Sequence, residues 1–115
     1  MKLLFDNGTP APLRRHLGDH IIHTAARMGW ENLRNGDLLD RAEENGYEVL
    51  ITTDQSIRYR QNLTGRTIGI EVGIVVLMNP RWPFVRLCTV EIREALYTVH
   101  AGEVVEVTIP TGRGR

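Results

Sequence analysis

The chain has 115 residues, of which 42% are hydrophobic and 24% charged, an ordinary globular composition that argues against disorder. Fourteen basic residues balance fourteen acidic ones, so contact with nucleic acid or anionic lipid needs a local patch of charge. One cysteine, Cys88, excludes an internal disulfide framework and a multi-cysteine zinc site. Because no apolar stretch is long enough to span a membrane and MKLLFD is too soon acidic for a signal peptide, we expect a soluble, cytoplasmic protein without a membrane partner.

The first half of the chain alternates apolar runs with helical patterns. Residues 2–5 form an apolar run that predicts a first strand, and Thr9 followed by Pro10 predicts the start of a helix with Leu13 and Leu17 on its buried face. A strand over 20–24, a helix over 37–45 and a nearly continuous apolar strand over 47–52 follow.

The second half repeats this alternation. It predicts a short helix over 54–62, a strand over 67–77, a helix that begins at Trp82 and ends at Gly102, and a last strand over 104–109. Strands that alternate with helices imply right-handed crossovers, so we expect a mostly parallel sheet of about five strands between helices on both faces. A single domain is expected over 1–110, with 111–115 as a flexible tail.

Acidic residues follow two of the predicted strands. Asp6 follows the first strand, Asp54 follows the third, and Asp37 opens the helix between them. Ligands of parallel sheets bind at the carboxyl ends of the strands, and converging carboxylates commonly hold Mg²⁺ or Mn²⁺. The alternative from the residues alone is structural, with Asp37 and Asp54 as helix N-caps and Asp6 as a turn residue.

Three segments, taken together in chain order, resemble the small PIN-like domains, relatives of the PIN-domain ribonuclease toxins. They are LLFDN with Pro10, NGDLL over 35–39, and VLITTDQ over 49–55 followed by Arg58-Tyr59 and Gln61-Asn62-Leu63. The strand IVVL over 74–77 and the helix start Arg81-Trp82-Pro83 match as well, so the resemblance covers nearly the whole chain.

The resemblance implies an α/β/α sandwich and a Mg²⁺- or Mn²⁺-dependent ribonuclease that hydrolyses single-stranded RNA. It also implies a role as the toxin of a toxin–antitoxin pair, with an antitoxin protein as partner. Asp6, Asp37 and Asp54 fall on the acidic catalytic and metal-binding positions. Supporting roles are expected for Asn7, Thr53 and Asp40, and phosphate contacts for the arginines of the two acid-bearing segments: Arg14, Arg15, Arg58 and Arg60.

Two other functions compete with this one. Gln55, Ser56 and Ile57 stand where PIN nucleases commonly carry a fourth acid, which leaves open a non-catalytic module that binds a protein or forms a homodimer. A phosphoryl-acceptor domain of receiver type needs a lysine on a later strand, and the only lysine is Lys2 on the first. A metal-induced rise in melting temperature separates the nuclease from the binding module.

Overall fold

The structure is a computed structural model that describes residues 1–57 and 71–111. Within these residues, five parallel strands form one sheet in the order β2-β1-β3-β4-β5. The strands are β1 (Lys2–Phe5), β2 (Ile21–Thr24), β3 (Val49–Thr52), β4 (Gly73–Leu77) and β5 (Val104–Val107). The parallel sheet expected from the alternating pattern is therefore confirmed.

Helices cover both faces of the sheet, which gives the expected three layers. The connections contain a 3-10 helix η1 (Ala11–His16), the helix α1 (Asn35–Glu44), the helix α2 (Trp82–Val85), a 3-10 helix η2 (Arg86–Cys88) and the helix α3 (Thr89–Thr98). One face packs Leu3, Phe5 and Ile51 against η1, α2 and α3, and the other packs Leu4 and Leu50 against α1. Every residue of β3 and β4 is buried, as a strand covered on both faces requires.

The helix α1 illustrates how the local sequence sets an element. Leu38, Leu39 and Ala42 recur at helical spacing and are buried against the sheet. Gly46 then adopts φ 76°, and the amides of Gly46 and Tyr47 donate to the carbonyls of Glu43 and Ala42 at 3.2 and 3.0 Å. This Schellman pattern satisfies the last carbonyls and ends the helix. The helix begins at Asn35, two residues before the predicted start, so Asp37 lies in its first turn and is not its N-cap.

The predicted helix over 82–102 is divided into three pieces. The backbone of Cys88, at φ −119° and ψ 23°, leaves the helical region, so the helical hydrogen bonding is interrupted and resumes in α3. The apolar periodicity nevertheless predicts the buried face correctly, because Val85, Ile92 and Leu96 all face the core. The predicted helix over 54–62 and the first part of the strand over 67–77 extend into residues outside those described.

No helix of the described residues has the length and apolar character needed to cross a membrane.

Candidate functional site

Asp6 and Asp54 lie at the carboxyl edge of the sheet, where the strands end. β1 and β3 are parallel neighbours with Phe5 opposite Ile51, and the amide of Asp6 donates to the carbonyl of Ile51 at 3.1 Å. Asp54 follows Thr52, the last residue of β3, by two positions. The expectation that the two acids share one edge of the sheet is therefore confirmed.

The carboxylate of Asp6 is fixed by the turn that follows it. Its Oδ1 accepts hydrogen bonds from the amides of Gly8 and Thr9, each at 3.1 Å, and from the Thr9 hydroxyl at 2.8 Å. The Thr9 hydroxyl also lies 2.8 Å from the carbonyl of Ile51, so its single proton is shared between two acceptors. The sequence predicts Thr9 as the cap of the first helix; it is instead buried beside Asp6, and Pro10 precedes η1 without a side-chain cap.

Thr52 joins the two acid-bearing segments. Its side chain is completely buried, and its hydroxyl donates to Oδ2 of Asp6 while accepting the amide of Asp54 at 3.1 Å. One hydroxyl therefore contacts the carboxylate of the first acid and the backbone of the second. Thr52 is absent from the predicted site residues, although a polar residue ending a wholly buried strand just before an acid is the signal that could have found it.

Asp54 holds its own turn. Its Oδ1 accepts the amide of Ser56 at 3.0 Å and the Ser56 hydroxyl at 2.7 Å. Both acids therefore accept hydrogen bonds from the residues that follow them, the geometry of an Asx turn. Asp54 is half-buried, as is Asp6, so each carboxylate stands at the border between the core and solvent.

The two oxygens of Asp6 differ in what they can still bind. From the residues that the structure describes, Oδ1 accepts three hydrogen bonds, whereas Oδ2 accepts one, from Thr52. A carboxylate offers about four lone-pair positions, two on each oxygen. A cation ligated by Asp6 would therefore bind the lone pair of Oδ2 that the Thr52 hydroxyl leaves free.

The expected supporting residues lie at the same edge in different settings. The side-chain amide of Asn7 donates to the backbone carbonyl of Glu31 and so connects this edge to the loop before α1. The hydroxyl of Thr53 lies directly over Gly8, where a built Cβ would come within 2.2 Å of it. A side chain at position 8 would displace that hydroxyl, so Gly8 permits the close approach of the two acid-bearing turns.

Asp37 occupies the first turn of α1 and is exposed, while Asp40 lies one turn further along and is half-buried. A carboxylate in a first helical turn interacts favourably with the helix dipole. Among the described residues, no group of three or more His, Cys, Asp or Glu side chains is arranged to hold a metal ion. The structure thus brings Asp6 and Asp54 to one edge but does not gather all three acids into a preformed cluster.

The predicted phosphate-binding arginines have different positions. Arg14 donates to the carbonyl of Ile22 at 3.0 Å and so covers part of β2, a strand with one neighbour in the described sheet. Arg15 is exposed at the end of η1. Arg58 and Arg60 lie outside the described residues, and their predicted role stays a prediction.

Comparisons with protein-family models, with curated proteins and with solved structures found no match to this chain.

Proposed function

We propose that this protein is a divalent-metal-dependent ribonuclease that cleaves single-stranded RNA at the carboxyl edge of its sheet. One observation carries the proposal: Asp6 and Asp54 follow neighbouring parallel strands, and the buried hydroxyl of Thr52 bonds the carboxylate of Asp6 and the backbone amide of Asp54. The resemblance of this acid-bearing sequence to PIN-like domains supports the choice of RNA as the substrate. The same resemblance supports a toxin's role with an antitoxin protein as partner.

The donor set at this edge suits Mg²⁺ or Mn²⁺, which prefer oxygen ligands and are commonly bound through one or two carboxylates. Asp6 would contribute Oδ2, the oxygen that accepts fewer hydrogen bonds from the described residues, and Asp54 would contribute its carboxylate. A bound ion would activate water and neutralise charge on the phosphodiester. Thr52 would keep Asp6 in one orientation, since its hydroxyl is fixed within the core.

Asp37 is the third acid of the proposal. Asp37 lies in the first turn of α1 and is exposed to solvent. From that position it would act on a metal-bound water or on the substrate. Its exposure makes it the most useful acid for separating function from folding, because an exposed carboxylate can be changed to an amide at little cost in stability.

The decisive experiment combines RNA cleavage with thermal melting. Asp54→Asn is the primary variant, because the asparagine Oδ1 can still accept the two hydrogen bonds from Ser56 while the charge is removed. Asp19→Asn is the matched control, since Asp19 is exposed in the turn before β2, away from the carboxyl edge. We expect the wild type and the control to cleave labelled RNA in Mn²⁺, and neither EDTA-treated protein nor the Asp54 variant to do so.

Metal binding is measured independently of cleavage. An ion that binds only the folded state stabilises it by about 2.7 kcal/mol at a hundredfold excess over its dissociation constant. We expect that stabilisation in the wild type and its loss in Asp54→Asn. Cleavage that survives both EDTA and the substitution, or the absence of both cleavage and metal-induced stabilisation, would contradict the proposal.

A non-catalytic binding module is the second candidate, and one observation favours it. Leu87, Val90 and Tyr97 recur at spacings of three and seven residues along η2 and α3, with 63%, 52% and 70% of their surfaces exposed. Exposed apolar residues on one helical face are typical of interaction surfaces. A stable homodimer by analytical ultracentrifugation that dissociates on Leu87→Glu, in a protein without metal-induced stabilisation, would favour this function.

A further inference from the structure

A second feature lies where η1 packs against α2, on the sheet face that carries Leu3, Phe5 and Ile51. The rings of His16, at the end of η1, and Trp82, at the start of α2, lie 5.4 Å apart between centroids at an interplanar angle of 46°. Each ring has an arginine as its chain neighbour, Arg15 before His16 and Arg81 before Trp82. We call the two rings and the exposed arginines that precede them in the chain the η1–α2 seam.

The arginines of the seam are available to an anionic ligand. The side chains of Arg15 and Arg81 are both exposed to solvent. Because the whole chain has no formal net charge, long-range attraction supplies nothing, and a polyanion must be held by local contacts of this kind. Guanidinium groups suit that purpose because their planar donor fork matches the geometry of phosphate.

The rings add a contact that a merely charged surface lacks. His16 is exposed, and Trp82 is half-buried where it packs against the core, so the pair is anchored on one side and open on the other. Proteins that bind single strands combine arginines along the backbone with aromatic rings on which unpaired bases stack. A double helix keeps its bases stacked on one another, so this combination favours a single strand.

The two elements that form the seam both begin at the carboxyl edge of the sheet. η1 follows β1 after the turn that contains Asp6, and α2 follows β4 after residues 78–81, so both elements start from the carboxyl edge. We propose that the η1–α2 seam binds single-stranded RNA next to the acids, with Arg15 and Arg81 on phosphates and a base stacked on the His16–Trp82 pair. This inference rests on the proposed function and names the surface that would hold its substrate.

Binding is tested without cleavage, in EDTA, by the fluorescence anisotropy of a labelled single-stranded RNA of mixed sequence. Arg15→Ala/Arg81→Ala is compared with Arg41→Ala/Arg93→Ala, a double variant with the same change in charge at exposed positions of α1 and α3. Removing one phosphate-binding arginine flattens the log–log salt dependence of single-strand binding by about 0.7, so we expect a decrease of about 1.4 for the seam variant and little change for the control.

Stacking is tested by the tryptophan signal. In a Trp30→Phe background Trp82 is the only tryptophan, and we expect RNA to quench its fluorescence and a duplex RNA of the same length to leave it unchanged. His16→Ala removes an exposed ring, and we expect it to weaken RNA binding about fivefold or more, the lower range for one stacked base. Trp82→Phe, which keeps a ring in the core, should retain most of the affinity.

Equal reductions of affinity in the seam and control variants would overturn the proposal, and so would RNA binding that leaves Trp82 fluorescence unchanged. Preference for heparin or an acidic protein over RNA, with no quenching, would assign the seam to another class of partner. Because RNA binding is measured in EDTA and cleavage in Mn²⁺, a seam that binds RNA in a protein that never cleaves it would contradict the nuclease alone. Cleavage that is insensitive to the seam variants would contradict the seam alone.

Discussion

The two edges of the sheet both carry acidic residues, but they hold them in different ways. At the carboxyl edge, Asp6 and Asp54 are half-buried, and each accepts hydrogen bonds from the turn that follows it. At the opposite edge, where the strands begin, a cavity of about 410 Å³ is lined by four glutamates together with Gly46 and Tyr47: Glu43, Glu44, Glu48 and Glu71. The edge with the acid-lined cavity is therefore not the edge where a hydroxyl from the core holds a carboxylate.

The difference lies in what fixes each carboxylate. A short aspartate directly after a strand contacts the backbone of its own turn, and the buried Thr52 hydroxyl adds a bond from the neighbouring strand. The glutamates carry longer side chains, and their hydrogen bonds are exposed to solvent. Glu48 accepts the amide of Lys2 at 3.1 Å, and Glu43 accepts the amide of Glu71 at 2.8 Å. Glu44 accepts a bond from the Arg41 guanidinium at 3.2 Å. Preorganisation distinguishes a site from a charged surface, because catalytic geometry requires groups that do not reorient during the reaction.

The largest effect is expected at Thr52. Thr52→Val removes the hydroxyl that donates to Oδ2 of Asp6 and accepts the amide of Asp54, and both partners are partly buried. We therefore expect the free energy of unfolding to fall by about 1–3 kcal/mol. Urea denaturation measures this loss, and Thr108→Val, at an exposed threonine beyond β5, should change it by less than about 0.5 kcal/mol. Equal losses in the two variants would mean that the Thr52 hydroxyl contributes no more to stability than an exposed threonine hydroxyl.

A matched change of carboxylate to amide compares the two edges directly. Asp6→Asn replaces an acceptor-only group by one with an NH₂, which cannot accept the bonds of both oxygens, and we expect it to cost about 1–3 kcal/mol. Glu48→Gln lowers the repulsion around the acidic cavity and keeps an acceptor for Lys2, so its effect should stay within about 0.5 kcal/mol. Denaturation at one pH and one salt concentration measures both, and a larger loss for Glu48→Gln would reverse the comparison.

Asp37 sharpens the comparison by separating activity from stability. Because Asp37 is exposed in the first turn of α1, Asp37→Asn removes only a favourable interaction with the helix dipole, and we expect a loss of about 0.3–1 kcal/mol that shrinks in high salt. If the proposed nuclease is correct, the same variant loses cleavage while it stays folded. Full activity of Asp37→Asn would confine the site to Asp6 and Asp54.

Much of the fold follows from patterns that act locally. The apolar run of β3 and the Leu38-Leu39-Ala42 face of α1 are decided by residues close in sequence, and both elements form as expected. The division of the helix after Trp82 was not predictable, because Cys88 lies on the expected apolar face and leaves helical geometry only in its backbone angles.

The candidate site was predictable as a position but not as a network. Its placement follows from the rule that parallel strands end at one edge, which brings Asp6 and Asp54 together. The hydrogen bond from Thr52 to Asp6 joins residues that are 46 positions apart in the sequence. The hydrogen bond from Thr9 to the carbonyl of Ile51 joins residues that are 42 positions apart. Such contacts depend on strand register, which no local pattern in this sequence specifies.

The smallest expected effect is the pH dependence contributed by the edge where the strands begin. The Nδ1 atom of His20 lies 3.1 Å from the amino group of Met1, and its Nε2 lies 3.3 Å from the Tyr97 hydroxyl. Burial and the positive amino group hold the pKa of His20 below its usual value of 6.5, although Asp19 and Glu48 act in the opposite direction. The neutral ring is therefore the form that the folded state favours.

Proton linkage sets the direction of this pH dependence. As the pH falls below about 6.5, the unfolded chain takes up a proton on His20 before the folded chain does, so the folded state loses stability through this window and regains it as the pH rises. We expect the melting temperature between pH 7 and pH 5 to fall less in His20→Gln than in the wild type, with His100→Gln, at an exposed histidine, following the wild type. A steeper fall in His20→Gln would mean that the carboxylates around His20 outweigh burial and the amino group, and that the acids of this edge are more firmly placed than their contacts indicate.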